Sequence, residues 1–265
     1  MTRAERTFVT RCSLVVRPID IWTGVTPSNS SIRVSLLETD RKPIRTSDGS
    51  YAFLDIIGTT CTLVITSSTY LEHLREIKLP EAGAEPPILT VSLLPNGAYS
   101  PPPAATGLVA AICGDSGLPL ANAQISAYID DDMAVRGRLV EDVADGDNHC
   151  IRISPGNSKL MPGDSFVMRD RDGTATEWNV LVDRLSDPSM VSLERPFTRK
   201  WSRGTRMLPA VRTRTDNNGL VVLPFRGLLP TVCPVTVDIE SGTRKWTAAW
   251  MAEGGKVIAL PTVRM

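Results

Sequence analysis

The chain has 265 residues, 42% hydrophobic and 22% charged, a composition that supports a packed core and excludes disorder as the main state. Its 29 Lys+Arg balance 29 Asp+Glu. That balance argues against a dedicated nucleic-acid binder, which carries net basic charge or a basic stripe, and leaves little self-repulsion between packed copies.

The first residues, Met1-Thr2-Arg3-Ala4-Glu5-Arg6, are basic, but the apolar run after them, Leu14-Val15-Val16, stops at Arg17-Pro18. This makes no signal-peptide core. No apolar run reaches the roughly 18 residues of a membrane-spanning helix. The chain is expected to be made in the cytoplasm and to leave it only inside a larger particle. Residues 1–8 precede the first strand, a position that permits an arm reaching a neighbour without requiring one.

Period-two alternation of apolar and polar residues then marks strands at 12–16, 32–36, 61–65, 88–93, 124–128 and 234–239. These runs are rich in β-branched residues, which fit a pleated, half-buried surface. Residues 71–77 read as one short helix or as strand and loop. The 19 Gly and 20 Pro separate the runs, and the class is all-β.

A repeat organises the chain. Arg45-Thr46-Ser47-Asp48-Gly49 leads into an alternating strand at 50–56, and Arg214-Thr215-Asp216-Asn217-Asn218-Gly219 leads into another at 220–225. In each, glycine supplies a positive φ and the Asp or Asn before it supports the turn. A second shared element, Gly114-Asp115-Ser116-Gly117-Leu118-Pro119, precedes the strand at 124–127, with a weaker counterpart at 21–27 before 32–36.

Between the copies, residues 94–103 end in Pro101-Pro102-Pro103 and read as an extended bridge. The second copy is interrupted. Strands at 161–168, 177–182 and 190–193, with a turn at 170–173, outline a four- or five-stranded barrel of roughly 60 residues, too small for a large core of its own. The expected domains are a first sandwich at 1–94, a linker at 95–106, a second sandwich at 107–135 and 210–265, and the inserted barrel at 136–209.

Candidate chemistry is sparse. Gly114-Asp115-Ser116-Gly117 is similar to a serine-protease nucleophile loop, but such a serine needs an oriented imidazole. Neither His73 nor His149 has that context, so the turn reading prevails. Asp130, Asp131, Asp132, Asp142, Asp145 and Asp147 form an acidic cluster without ordered cation-ligand spacing. It reads as a solvated loop, with a weak Ca²⁺ site second. His149-Cys150 lacks a second ligand at metal spacing. Five cysteines, an odd number with no C-x-x-C, read as mostly buried thiols. Trp22, Trp178, Trp246 and Trp250 read as core, with an interface anchor as the alternative for Trp246 and Trp250. No catalytic residue, cofactor or metal site is assigned.

The densest basic-aromatic stretch holds Arg195, Phe197, Arg199, Lys200, Trp201, Arg203 and Arg206. It reads as an exposed barrel face, as a protein interface, or as a nucleic-acid contact, in that order. Arg199, Lys200, Trp201 and Arg203 are the candidate interface residues.

The pattern carried by residues 107–127 and 215–225, and more loosely by 24–36 and 46–56, resembles carboxypeptidase regulatory-like, or transthyretin-like, β-sandwich domains. The insert resembles small barrels of contractile phage tail and baseplate proteins. The resemblance implies two such sandwiches, the second interrupted by a barrel. It also implies a non-enzymatic structural subunit of a phage tail or tail-like injection particle, at the baseplate, collar or cap. Its expected partners are other particle subunits and copies of itself, with no nucleic acid, membrane span or small-molecule substrate. The alternatives are a carbohydrate- or cell-surface-binding module and an accessory subunit of a separately encoded enzyme.

Overall fold

A computed structural model describes residues 10–27, 32–80, 85–146, 149–158, 160–170, 172–187 and 189–265. Residues 1–8, Asp147 of the acidic cluster and position 171 of the expected turn lie outside them. Apart from a single-turn 3-10 helix, Asp132–Ala134, every regular element among the described residues is a strand. No helix among them is long and apolar enough to cross a membrane. By its contacts the chain divides into two units, one built from the described residues of 1–19, 26–68 and 72–91, the other from 20–25, 69–71 and 92–265.

The first unit draws on β1 (Cys12–Asp20), β2 (Ile32–Leu36), β3 (Ile44–Arg45), β4 (Tyr51–Leu54), β5 (Thr60–Ser67), β6 (His73–Lys78) and β7 (Ile88–Leu93). One sheet has the order β3-β4-β1-β7, the other β2-β5-β6. Alternation decides which side chains are buried: Leu14 and Val16 on β1, Val34 and Leu36 on β2, and Cys61, Leu63 and Ile65 on β5. Each such burial contributes about 1.5–3 kcal/mol for a Leu, Ile or Val. The stretch at 71–77 supplies β6, a strand rather than a helix. It is a sheet edge whose Arg75, Glu76 and Lys78 are exposed, and charge on an edge discourages stray pairing.

The second unit holds β8 (Thr106–Cys113), β9 (Gln124–Ile129), β10 (Gly137–Leu139), β11 (Cys150–Pro155), β12 (Ser165–Arg169), β13 (Thr176–Arg184), β14 (Met190–Leu193), β15 (Arg206–Arg214), β16 (Leu220–Phe225), β17 (Val232–Ser241), β18 (Arg244–Glu253), β19 (Val257–Ala259) and β20 (Val263–Arg264). Strands β15-β9-β17-β18 form one layer of its sandwich and β16-β8-β19 the other, with β20 also parallel to β8. Between them pack Leu108, Ile112, Ile125, Ile129, Val211, Leu223, Val235 and Val237.

Strands β10-β11-β14-β13-β12-β15 continue from the first of these layers, and pairing of β10 with β15 closes them into a six-stranded barrel. The barrel has its own core, with Ile151, Phe166, Met168, Leu181, Val191, Phe197 and Met207. The expectation of four or five strands fell short because β10 and β11 lie in and just after the acidic segment. The expected strand at 161–168 starts only at Ser165. Met161 to Asp164 is a turn closed by the Asp164 amide on the Met161 carbonyl (3.0 Å).

Strand β15 serves both bodies. Met207 and Leu208 pair with Met168 and Val167 of the barrel, while residues Ala210 to Arg214 pair with β9 of the sandwich. A buried ion group sits nearby: Asp164 binds the Arg226 guanidinium, and Arg136, 6% exposed, donates to the Arg226 carbonyl. Burial lowers the pKa of Arg136, partly opposed by Asp164.

The proline-rich stretch is anchored within this unit. Buried Asp20 accepts hydrogen bonds from the Tyr70 hydroxyl (2.6 Å), the Tyr99 hydroxyl and the Trp22 amide (2.7 Å). Burial and the Asp20 carboxylate push both phenols up. Trp22 stacks on Tyr99 and donates Nε1–H to the Thr106 carbonyl (3.0 Å).

Of the tryptophans expected in the core, Trp22 is buried, whereas Trp178, Trp246 and Trp250 are half-buried. All five cysteines are free. Cys61 and Cys233 are buried and Cys12, Cys113 and Cys150 half-buried, so fewer are enclosed than expected.

Candidate functional site

A groove of about 830 Å³ lies at one mouth of the barrel. Three elements and one loop converge on it. Arg138 comes from β10, Arg169 from the end of β12 and Arg206 from the start of β15; the loop at 197–204 adds Arg199, Lys200 and Arg203. Among the described residues, Asp132, Asp170 and Asp172 complete its charged lining.

The acidic segment is solvated at Asp142 and Asp145, which are exposed, but its first part is tied to the barrel by ion pairs. Asp130 pairs with Arg169 and with Arg206 (3.2 Å). Asp132 pairs with Arg138 (3.1 Å) and Arg206 (3.2 Å), and those hydrogen bonds, Arg138's first, hold its carboxyl below the usual range. Asp131 caps the 3-10 turn by accepting the Met133 amide (2.8 Å). Arg169 also lies over the Tyr128 ring, 5.8 Å from its centroid.

The loop is pinned from below. Phe197 and Trp201 are buried and meet edge to face at 6.5 Å. Trp201 Nε1–H donates to Glu177 Oε2 (2.7 Å), and the Thr198 amide donates to Glu177 Oε1 (2.6 Å). Trp201 and Val143 exchange backbone hydrogen bonds of 2.9 and 2.8 Å, the Arg203 amide donates to Asp142 (2.7 Å), and the Gly204 amide to the Leu139 carbonyl (2.8 Å). These bonds use backbone and aromatic groups and leave the cationic heads exposed. Trp201, at 3% exposure, is the loop's anchor, while Arg199, Lys200 and Arg203 are its exposed face. Arg199 reaches back over the indole, 5.2 Å from its centroid.

Arg195, dense with these residues in sequence, turns away to the Trp178 carbonyl (2.8 Å). Arg138, Arg169, Asp130 and Asp132 were not legible as part of the site, because only strand pairing brings them to it.

Ser116 is exposed in the turn after β8, where the Gly117 amide donates to the Gly114 carbonyl (2.8 Å). His149 Nδ1 sits 3.4 Å from the Leu193 carbonyl. Among the described residues no group of three or more His, Cys, Asp or Glu comes together to hold a metal ion.

No family model and no curated protein matches the sequence. Among solved structures, the Bacillus anthracis TIE protein overlaps with a TM-score of 0.26 at 11% identity, over 96% of this chain and 50% of that one. The chain thus spans about half the length of that structure, and so loose an overlap carries neither topology nor function across.

Proposed function

We propose that the protein is a non-enzymatic structural subunit of a contractile phage tail or tail-like injection particle, seated at the baseplate, collar or cap. Its sandwiches are of the carboxypeptidase regulatory-like kind, and it meets neighbouring subunits through the barrel. The observation that carries this reading is β15, one unbroken strand paired to β12 in the barrel wall and to β9 in the sandwich. Force or binding energy applied at the groove passes through a continuous hydrogen-bonded sheet. A part that must hold a fixed geometry in several symmetric copies needs that stiffness. The pinned cationic loop gives the same barrel a preformed contact face.

The test is co-expression with the proteins encoded beside its gene, followed by affinity purification and negative-stain electron microscopy. The chain is expected to co-purify into rings, tubes or complete particles. A chain that stays a free monomer among sheath and tube proteins overturns the reading. Selective glycan binding by that monomer favours a carbohydrate-binding module instead.

A further inference from the structure

The pairing of charges in the groove identifies what it receives. Arg138, Arg169 and Arg206 are already engaged by Asp130 and Asp132. Arg199, Lys200 and Arg203 are not: no ion pair found among the described residues uses them, and all three are exposed on one short loop. Desolvating unpaired cations is costly, and a ligand that supplies carboxylates or phosphates relieves that cost with charge-assisted hydrogen bonds.

The loop's backbone is fixed by Glu177, Val143, Asp142 and Leu139 before any ligand arrives. On the protein's side, binding therefore orders little more than three side-chain ends, and the ordering cost falls mainly on the ligand. At about 830 Å³ the groove is ligand-sized, with room for several residues of extended chain.

Two features choose between protein and nucleic acid. Asp170 and Asp172 also line the groove. They oppose a backbone that is anionic at every step, whereas a peptide can set neutral or basic residues against them. The aromatic ring in the lining, Trp201, is 3% exposed and lies under Arg199, so it gives no stacking platform for bases.

We propose that the groove binds an acidic segment of a partner protein, with spaced Asp and Glu side chains on Arg199, Lys200 and Arg203. This rests on the structural-subunit reading and names the partner chemistry for it. The experiment is fluorescence anisotropy on the full chain, with a labelled peptide of alternating Glu and Ser and a single-stranded oligonucleotide of equal charge. The peptide is expected to bind saturably and to weaken with salt. The triple variant Arg199→Glu/Lys200→Glu/Arg203→Glu should weaken it by at least about tenfold. The double variant Lys200→Glu/Arg203→Glu, which keeps Arg199 on Trp201, should also weaken it, with an unchanged melting curve. Arg33→Glu/Lys78→Glu, exposed positions in the first unit, should change nothing.

Absence of peptide binding, equal binding by the triple variant, or tighter binding of the oligonucleotide overturns the assignment. The two readings fail separately. Particles that incorporate the chain although the peptide does not bind sink the groove assignment alone; peptide binding by a chain that never enters a particle sinks the structural reading alone.

Discussion

The two copies of the turn motif share a hydrogen-bonded closure and its positive-φ glycine but not a setting. In the first, Thr46, Asp48 and Ser50 bond mainly to one another. The Thr46 amide donates to the Ser50 carbonyl (2.9 Å), the Gly49 amide to the Thr46 carbonyl (3.0 Å), and the Ser50 hydroxyl to Asp48 (2.9 Å). In the second, the same closure recurs between Asp216, Gly219 and Leu220, but the turn also reaches outward. Asp216 accepts the Gly97 amide (3.3 Å), and Thr215, fully buried, accepts the Ala123 amide (2.9 Å) and donates to the Leu120 carbonyl (2.5 Å). Local sequence chose the turn in both places; the surroundings decide what the turn is worth.

The glycines should break the comparison most sharply. Both have positive φ, +84° at Gly49 and +73° at Gly219. A Cβ at Gly219 would lie 2.6 Å from the Ile112 carbonyl oxygen, which is strand backbone; at Gly49 it would meet the Thr26 methyl at 2.8 Å, a side-chain end that rotates away. Gly219→Ala is expected to cost more than about 2 kcal/mol and Gly49→Ala about 1 kcal/mol. Hydrogen exchange of β16 and of β4 reads each unit separately, and equal losses would erase the distinction. A smaller contrast comes from two threonines at different places, Thr46 opening the first closure and Thr215 one residue before the second. Thr215→Val leaves the buried Ala123 amide without its acceptor and should cost about 1–3 kcal/mol. Thr46 is half-buried, so water replaces its bonds and Thr46→Val should cost under about 1 kcal/mol.

The same division between local and distant causes explains what the sequence disclosed. Alternation at 12–16, 61–65 and 234–239 places strands because burial of every second side chain is a property of one segment. The short strand Gly137–Leu139 carries no such signal. It exists because it bridges Ile153 of β11 and Met207 of β15. The cationic loop was visible as a cluster of Arg199, Lys200 and Arg203, since those residues are neighbours in the chain. Its counterparts Arg138 and Arg169 were not, nor was the pairing of Asp130 with Arg169 and Arg206, since only strand pairing brings those residues together. The anchoring of Trp201 by Glu177 from β13 is likewise a product of barrel closure.

The smallest effect concerns charge in the first turn. Hydrogen bonds from Thr46, and next from Ser50, lower the Asp48 carboxyl from its ordinary 3.8 to about 2. The Arg17 guanidinium, 3.8 Å away, adds little. Because the folded pKa is depressed, the stabilisation is fully present above pH 3.8 and is lost as the pH falls toward 2. Its source is hydroxyl and amide donation rather than a neighbouring charge, so added salt should leave the titration nearly in place. An NMR titration of the Asp48 carboxyl should give a midpoint near 2, moved upward by Thr46→Val and hardly by Arg17→Gln. The opposite ranking of those two variants would mean that the turn is held by the ion pair, and the self-contained character assigned to the first copy would fail with it.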